Sequence, residues 1–237
     1  MARFGSVMKQ SVKLVAVVFD MDGLLLDSER PLVEAWTEAA RELDCSFAPE
    51  LLLRVLGRPG AEGVALFRAA LGSDFPYDQA RARVRSLLSA RQAQGFAVKP
   101  GARQLLACLH ARQVPCAVAS SAQRKQLEAR LIQAGLYPHF EAFAGGDEVA
   151  HGKPAPDVFL LAAERLGVNP SACLVFEDSE HGARGAVAAG MQVVIVPDLV
   201  QPSPEARALC CAVLPSLAQA EAHCDGWFQA APAPRGE

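Results

Sequence analysis

The chain has 237 residues, 51% of them apolar and 21% charged, with a formal net charge of −3. Such a chain can bury a substantial core as one large domain or as a core plus a smaller module. The slightly acidic balance lacks the basic excess of a nucleic-acid surface, and no apolar run reaches the roughly 18 residues a membrane span needs.

Residues 1–13 carry Lys9 and Lys13 but no cleavage pattern, so the expectation is a flexible N-terminus without an export signal. Leu14 to Phe19 then forms a short apolar run with the composition of a strand buried on both faces. It runs straight into Asp20-Met21-Asp22-Gly23-Leu24-Leu25-Leu26-Asp27. A buried strand has no structural use for paired acids, which places them at its C-terminal tip, where open α/β sheets bind ligands. There both Asp side chains and the Asp22 carbonyl can converge, while Gly23 turns the chain tightly. Hard oxygen donors of this kind suit Mg2+. The competing reading is an Asp-rich turn that caps the next helix.

Helical composition follows over Glu29 to Leu43 and then at about 48–56, 60–71 and 77–93, punctuated by Gly57, Pro59, Gly72 and Pro76. No strand signal interrupts this stretch, so a helical module is inserted directly after the first strand and its acidic loop. From Pro100 the pattern alternates. Helices are expected at about 101–112, 122–134, 155–166 and 181–189; strands at 115–120, 140–144, 172–176 and 191–196. An edge strand near 211–214 and a helix near 217–224 complete it. Short apolar strands alternating with helices indicate a parallel sheet covered on both faces, an α/β Rossmann-like core. The expected organisation is core over 14–29 and 99–228, a helical-bundle cap over 30–98 and a disordered tail over 229–237.

Polar groups recur at the expected strand tips. Ser120 and Ser121 follow Cys116-Ala117-Val118-Ala119; Lys153 lies in His151-Gly152-Lys153-Pro154; Glu177 and Asp178 follow Cys173-Leu174-Val175-Phe176. Each has an ordinary structural alternative: Ser120 or Glu177 as a helix cap, Lys153 as a solvated cation. Their joint recurrence at the ligand-binding edge of one sheet favours phosphoryl transfer. A carboxylate can attack phosphorus, a metal and a lysine offset anion repulsion, and a second acid can protonate the leaving oxygen and then activate water. Seven cysteines without a CxxC and five scattered histidines support neither a disulfide framework nor a zinc site, and fit a reducing, cytoplasmic setting.

Four segments together resemble the haloacid dehalogenase superfamily, in the branch that holds beta-phosphoglucomutase and small-metabolite phosphatases. They are Asp20 to Ser28, Ala119-Ser120-Ser121, Gly152 to Phe159, and Phe176-Glu177-Asp178-Ser179 with Gly182. The resemblance spans about residues 14–200. It implies Asp20 as nucleophile, Asp22 as general acid/base, Ser120 as a phosphate contact and Lys153 as the charge stabiliser. It further implies Mg2+ on Asp20, the Asp22 carbonyl and Asp178, with Glu177 beside them, and a cap that reads the leaving group. Ser121, Arg58 and Arg30 are the candidate substrate contacts. The place of the cap-helix histidine of the mutases is taken by Leu32, and Arg58 stands two positions off their cap-loop arginine. A phosphatase acting on a sugar phosphate or nucleoside-type monophosphate, as a monomer, is therefore preferred to a phosphosugar mutase. A non-catalytic interaction protein with the same fold is the third alternative.

Overall fold

The computed structural model describes residues 13–45, 51–53, 60–72 and 75–228. The expected flexible N-terminus and disordered tail, most of the expected helix at 48–56 and Arg58 lie outside the described residues; within that helix, 51–53 are helical.

Six parallel strands form one sheet: β1 (Ala16–Phe19), β2 (Cys116–Ala119), β3 (Ala142–Ala144), β4 (Cys173–Glu177), β5 (Gln192–Ile195) and β6 (Ala212–Val213), in the order β3-β2-β1-β4-β5-β6. The strands are short because each need only cross the buried layer, and β1, β2 and β4 are buried along their whole length. Side chains alternate between two apolar layers, as strand geometry demands. Val17, Phe19, Cys116, Val118, Leu174 and Phe176 face one layer; Ala16, Val18, Ala117, Ala119, Cys173 and Val175 face the other.

The first layer is closed by α4 (Ala102–Ala111) and α5 (Arg124–Gln133), through Leu105, Leu106, Leu109, Leu127 and Leu131. The second is closed by α6 (Asp157–Leu166), α7 (Glu180–Ala188) and α8 (Pro204–Leu209), whose alanines let helix and sheet approach closely. Phe19 stacks on Phe176 at 5.3 Å between centroids, fixing the two central strands to each other. Two short C-terminal helices, α9 (Leu217–Ala220) and α10 (Cys224–Trp227), replace the single helix expected there, joined by a 3₁₀ turn at Glu221–His223.

The helical elements between β1 and α4 form the cap: α1 (Glu29–Glu42), α2 (Gly60–Leu71) and α3 (Tyr77–Gln94). They enclose a separate apolar cluster in which Trp36 stacks on Phe67 at 4.6 Å, with Tyr77 5.7 Å from both rings. Arg83 forks onto Glu42 and Arg91 bonds Glu34 and the Pro31 carbonyl, tying α3 to α1.

The two linkers into this insert are zipped to each other. The Asp27 N–H donates to the Ala97 carbonyl and the Lys99 N–H to the Leu25 carbonyl, around an antiparallel bridge between Leu26 and Val98. The insert thus leaves and re-enters the core at one point, beside the C-terminal end of β1. Among the described residues no helix is long and apolar enough to cross a membrane.

Candidate active site

Asp20 ends β1, buried, with its N–H bonded to the Phe176 carbonyl of β4. Its Oδ1 accepts from Lys153 Nζ at 2.5 Å. The same ammonium donates to Glu177 Oε1 at 2.6 Å and to the Ala119 carbonyl at 3.1 Å, so three strand ends converge on one cation. The Phe159 ring lies 4.8 Å from Nζ and closes the remaining side. Burial alone would drive the Lys153 proton off, but the Asp20 and Glu177 charges outweigh it and hold the ammonium firmly protonated.

Glu177 is anchored on both oxygens. Oε1 accepts a hydrogen bond from the Lys153 ammonium; Oε2 accepts from the Ser179 N–H and hydroxyl, both at 2.9 Å. Ser179 Oγ in turn accepts from the Gly182 N–H and caps α7. A Cβ on Gly182 would lie 1.7 Å from Glu177 Oε1, so the first turn of α7 passes over Glu177 only because that residue has no side chain. Gly23 is constrained likewise: its φ is +84°, and a Cβ there would lie 2.3 Å from Asp178 Oδ2.

Asp20, Glu177 and Asp178 bring one carboxylate oxygen each within 4.8 Å of one another. Burial pushes the Asp20 carboxyl up to about 8, with Glu177 adding to the rise and Lys153 opposing it; burial and the Glu177 charge push Asp178 well above its ordinary value. One lysine does not neutralise this group, and its donors are all hard oxygens. Excess negative charge and an all-oxygen set both fit a small divalent cation such as Mg2+.

Ser120, almost wholly buried, ends β2; its Oγ accepts from the Ala122 N–H at 3.1 Å, leaving the hydroxyl proton to be directed. Ser121 is exposed, with its backbone against Gly146. Asp22 stands apart from the carboxylate cluster: both of its oxygens bond Arg130 NH1 of α5, at 2.9 and 3.0 Å. Arg30 bonds Asp27 at 2.9 Å and Asp198 at 2.9 Å, on the linker side of the sheet edge. Leu32 is half-buried and packs on the cap's own apolar cluster.

Two charged neighbours of these acids are not marked in the sequence. Glu29, the first residue of α1, has its carboxyl pushed up to about 7 by burial and by the charges of Asp198 and Asp22. Its place directly after Asp27-Ser28 was the available signal, but an acid in a first helical turn also suits the helix dipole. Arg130 gave none, sitting 108 residues from its partner on an ordinary amphipathic helix.

Residues 14–190 match the family model described as haloacid dehalogenase-like hydrolase. The chain belongs to that family. A probable pseudouridine-5'-phosphatase of Drosophila melanogaster is 39% identical over 195 residues, covering 78% of this chain and 83% of that protein. The phosphorylated carbohydrates phosphatase of Thermotoga maritima is 32% identical over 177 residues, covering 75% and 82%. A hydrolase of this family from Deinococcus radiodurans, solved with phosphate and sodium bound, superimposes with a TM-score of 0.74 at 28% identity, covering 93% of this chain and all of that one. The protein is thus an enzyme, a hydrolase of the phosphatase branch, and the non-catalytic alternative falls away.

Proposed function

We propose that this enzyme is a Mg2+-dependent phosphatase that hydrolyses a small phosphomonoester through an aspartyl-phosphate on Asp20. The observation that carries the reading is the β1 tip, where a buried carboxylate is held by Lys153 beside two further acids and a fourth acid follows two residues on. Asp20 and Asp178, with the Asp22 carbonyl, would hold the ion. Glu177 has both oxygens engaged, which makes it the anchor of Lys153 in preference to a ligand. When bound, Mg2+ supplies positive charge that lets an anionic nucleophile approach an anionic ester.

The remaining chemistry belongs to the chain. An Asp20 oxygen attacks phosphorus as the bond from phosphorus to the leaving oxygen breaks; Asp22 gives its proton to that oxygen, and the alcohol departs. Water then attacks the same phosphorus, passing a proton to Asp22, and the Asp20–phosphorus bond breaks to return free Asp20 and inorganic phosphate. Lys153 holds charge on the nucleophile side throughout, while the Ser120 hydroxyl, its oxygen already accepting from the Ala122 N–H, is left to donate its proton to a phosphate oxygen. Leu32, packed into the cap, offers no imidazole to couple substrate binding to acid/base alignment, which favours hydrolysis over mutase chemistry.

The relatives' names span pseudouridine 5'-phosphate and phosphorylated carbohydrates, and the cap would choose among such esters. Seven free thiols fit work in a reducing compartment, the cytoplasm, and we take the acting species to be a monomer. The test is phosphate release from a panel holding pseudouridine 5'-phosphate, fructose 1-phosphate, 2-deoxyglucose 6-phosphate and phosphoglycolate, with Mg2+ or with chelator. Release from at least one ester, abolished by chelator and restored by Mg2+, is expected. Release from none, or release indifferent to chelator, overturns the assignment. Beta-glucose 1-phosphate with a trace of the 1,6-bisphosphate should give inorganic phosphate and little glucose 6-phosphate.

A further inference from the structure

Cys108 and Cys224, far apart in the chain, meet at the seam between α4 and α10. Cys224, the first residue of α10, is wholly buried in the first apolar layer. Cys108 of α4 packs against the same layer but keeps some exposure. The two thiols are in hydrogen-bond contact. Arg112, at the C-terminal end of α4, spans the seam. Its NH1 donates to Cys108 Sγ at 3.0 Å, and its Nε and NH2 donate to Asp225 Oδ1 at 3.2 and 2.5 Å. Asp225 follows Cys224 in the chain, so one guanidinium ties the two cysteine-bearing elements together.

Cys108 differs in kind from the other cysteines. Among the described residues the other thiols donate to backbone carbonyls, whereas Cys108 Sγ accepts from a cation. A guanidinium in that place meets the negative charge that a sulfur must carry to act as a nucleophile. Cys224 suits a second step. Burial, and then the hydrogen bond with Cys108, pushes its thiol up to about 12, so it is not the sulfur that reacts first.

We propose that Cys108 and Cys224 form an oxidation site, a thiol pair that a hydroperoxide closes to a disulfide and a dithiol reopens. The Cys108 sulfur attacks one peroxide oxygen and the O–O bond breaks. The other oxygen leaves as water or alcohol, taking up the thiol proton, and Cys108 becomes a sulfenic acid. Cys224 Sγ then attacks that sulfur; the S–S bond forms as the S–O bond breaks, and the hydroxyl departs as water with the Cys224 proton. The two thiols lose two electrons and the peroxide gains them. The sulfurs must close to about 2.05 Å. Because α10 has only four residues, a shift of its first one disturbs little regular structure. Trp227 of the same helix meets Phe176 edge-on at 5.7 Å, so the bond fastens the C-terminal segment over the apolar layer behind β4. In a reducing compartment the pair stays open, and it closes under peroxide.

The test needs no substrate and does not depend on the phosphatase reading. The full reduced chain is treated with hydrogen peroxide at neutral pH, its remaining thiols are alkylated in denaturant, and its peptides are mapped by mass without reduction. One linked pair, 108 to 224, is expected, with free thiols falling from seven to five and recovering with dithiothreitol. The linked form should melt about 3 °C or more above the reduced one. Arg112→Met should slow the closure about fivefold or more, and Cys224→Ser should stop at a sulfenic acid on Cys108 that dimedone captures. Oxidation that falls first on other cysteines, or closure at the wild-type rate in Arg112→Met, overturns the proposal. A link that leaves the melting temperature unmoved overturns the fastening. Should either variant fold poorly, the map of the unaltered chain decides alone, since a first disulfide anywhere else refutes the assignment.

Discussion

The core and the helical insert are built by different rules. In the core, chemistry-bearing residues sit at the ends of strands whose order is fixed by the sheet, and backbone and side chain pack without slack. Gly182 and Gly23 show this, since a methyl on either would collide with a carboxylate of the cluster. In the insert, the described residues form an apolar cluster around Trp36 and Phe67, and polar pairs such as Arg83–Glu42 lie on its surface. The cap holds itself together by burial and leaves its polar positions free to vary. The core should therefore set which reaction occurs, and the insert on which ester. Substitutions in the core motifs should affect every ester alike; those in the insert should change the ranking of esters.

The largest effect expected is for Asp20→Asn. An amide is a poor nucleophile of nearly the same shape, so turnover should fall by about a thousandfold or more while the fold persists. Steady-state phosphate release on the whole panel, with circular dichroism as the fold control, measures it. An ester that kept turnover within tenfold of wild type would break the comparison, because the core would then not be setting the reaction.

The same contrast explains what could be read from the chain. Alternating apolar runs gave the sheet, and the observed strands begin and end within about two residues of the expected ones because a two-face-buried strand has nothing but apolar residues to offer. The acids at 20, 22, 177 and 178 stood out because they recur directly after such runs, although each alone could have been a cap or a turn. Long-range geometry was not visible. Arg130 and Arg30 both look like surface arginines of amphipathic helices; the fold gives one to Asp22 and the other to Asp27 and Asp198. Glu177 could not be separated from a helix cap by sequence, and in the structure it is linked to both roles: it binds Lys153 and also Ser179, the residue that caps α7. The insert was legible only as helix, since an apolar stripe says where a helix buries itself and nothing about what its other face meets.

A second prediction compares glycines across the two regions. Gly182→Ala should destabilise the protein by about 1–3 kcal/mol, because Glu177 must move and its Lys153 contact with it. Gly72→Ala, at the end of α2, meets no atom within 4 Å but stands at φ +81°, so backbone strain of about 1–2 kcal/mol is its whole cost. Urea unfolding gives both values. Activity should separate them further, falling for Gly182→Ala on every ester and holding for Gly72→Ala on p-nitrophenyl phosphate. Equal loss of activity in the two variants would show that the core has no special lack of slack.

Metal and pH sharpen the comparison next. Asp20 is held near 8 against an ordinary 3.8, and Asp178 is raised as well. A raised carboxyl favours the fold while protonated, so this contribution is present below about pH 4 and is lost as the pH rises through about 8. Without metal, the melting temperature should carry a loss over that range. Added Mg2+ competes with the same protons, and its stabilisation should grow with pH. A shift of a few degrees at pH 8, shrinking toward pH 5, is expected at saturating Mg2+. A shift independent of pH would mean that the ion binds away from Asp20 and Asp178.

The smallest effect belongs to a part of the core that does no chemistry. Glu148 receives both arms of Arg165, at 2.8 and 2.9 Å, and the Gly145 N–H at 2.8 Å; the Arg165 hydrogen bonds first, then the backbone donor, hold its carboxyl down at about 2. The sign is opposite to that at Asp20. A depressed carboxyl contributes stability above its unfolded value of 4.5, and the contribution drains away as the pH falls through about 2. Glu148→Gln keeps the size and one acceptor but cannot ionise. It should melt slightly below wild type at pH 7, and the gap should narrow as the pH falls from 4.5 toward 3. The group is exposed enough that screening keeps the effect small. Phosphate release should not change, because Glu148 lies beyond β3 and none of its bonds reaches the carboxylate cluster. If the two melting curves kept a constant gap down to pH 3, the pair would be stabilising by packing alone, and the acid sensitivity of the core would have to be sought elsewhere.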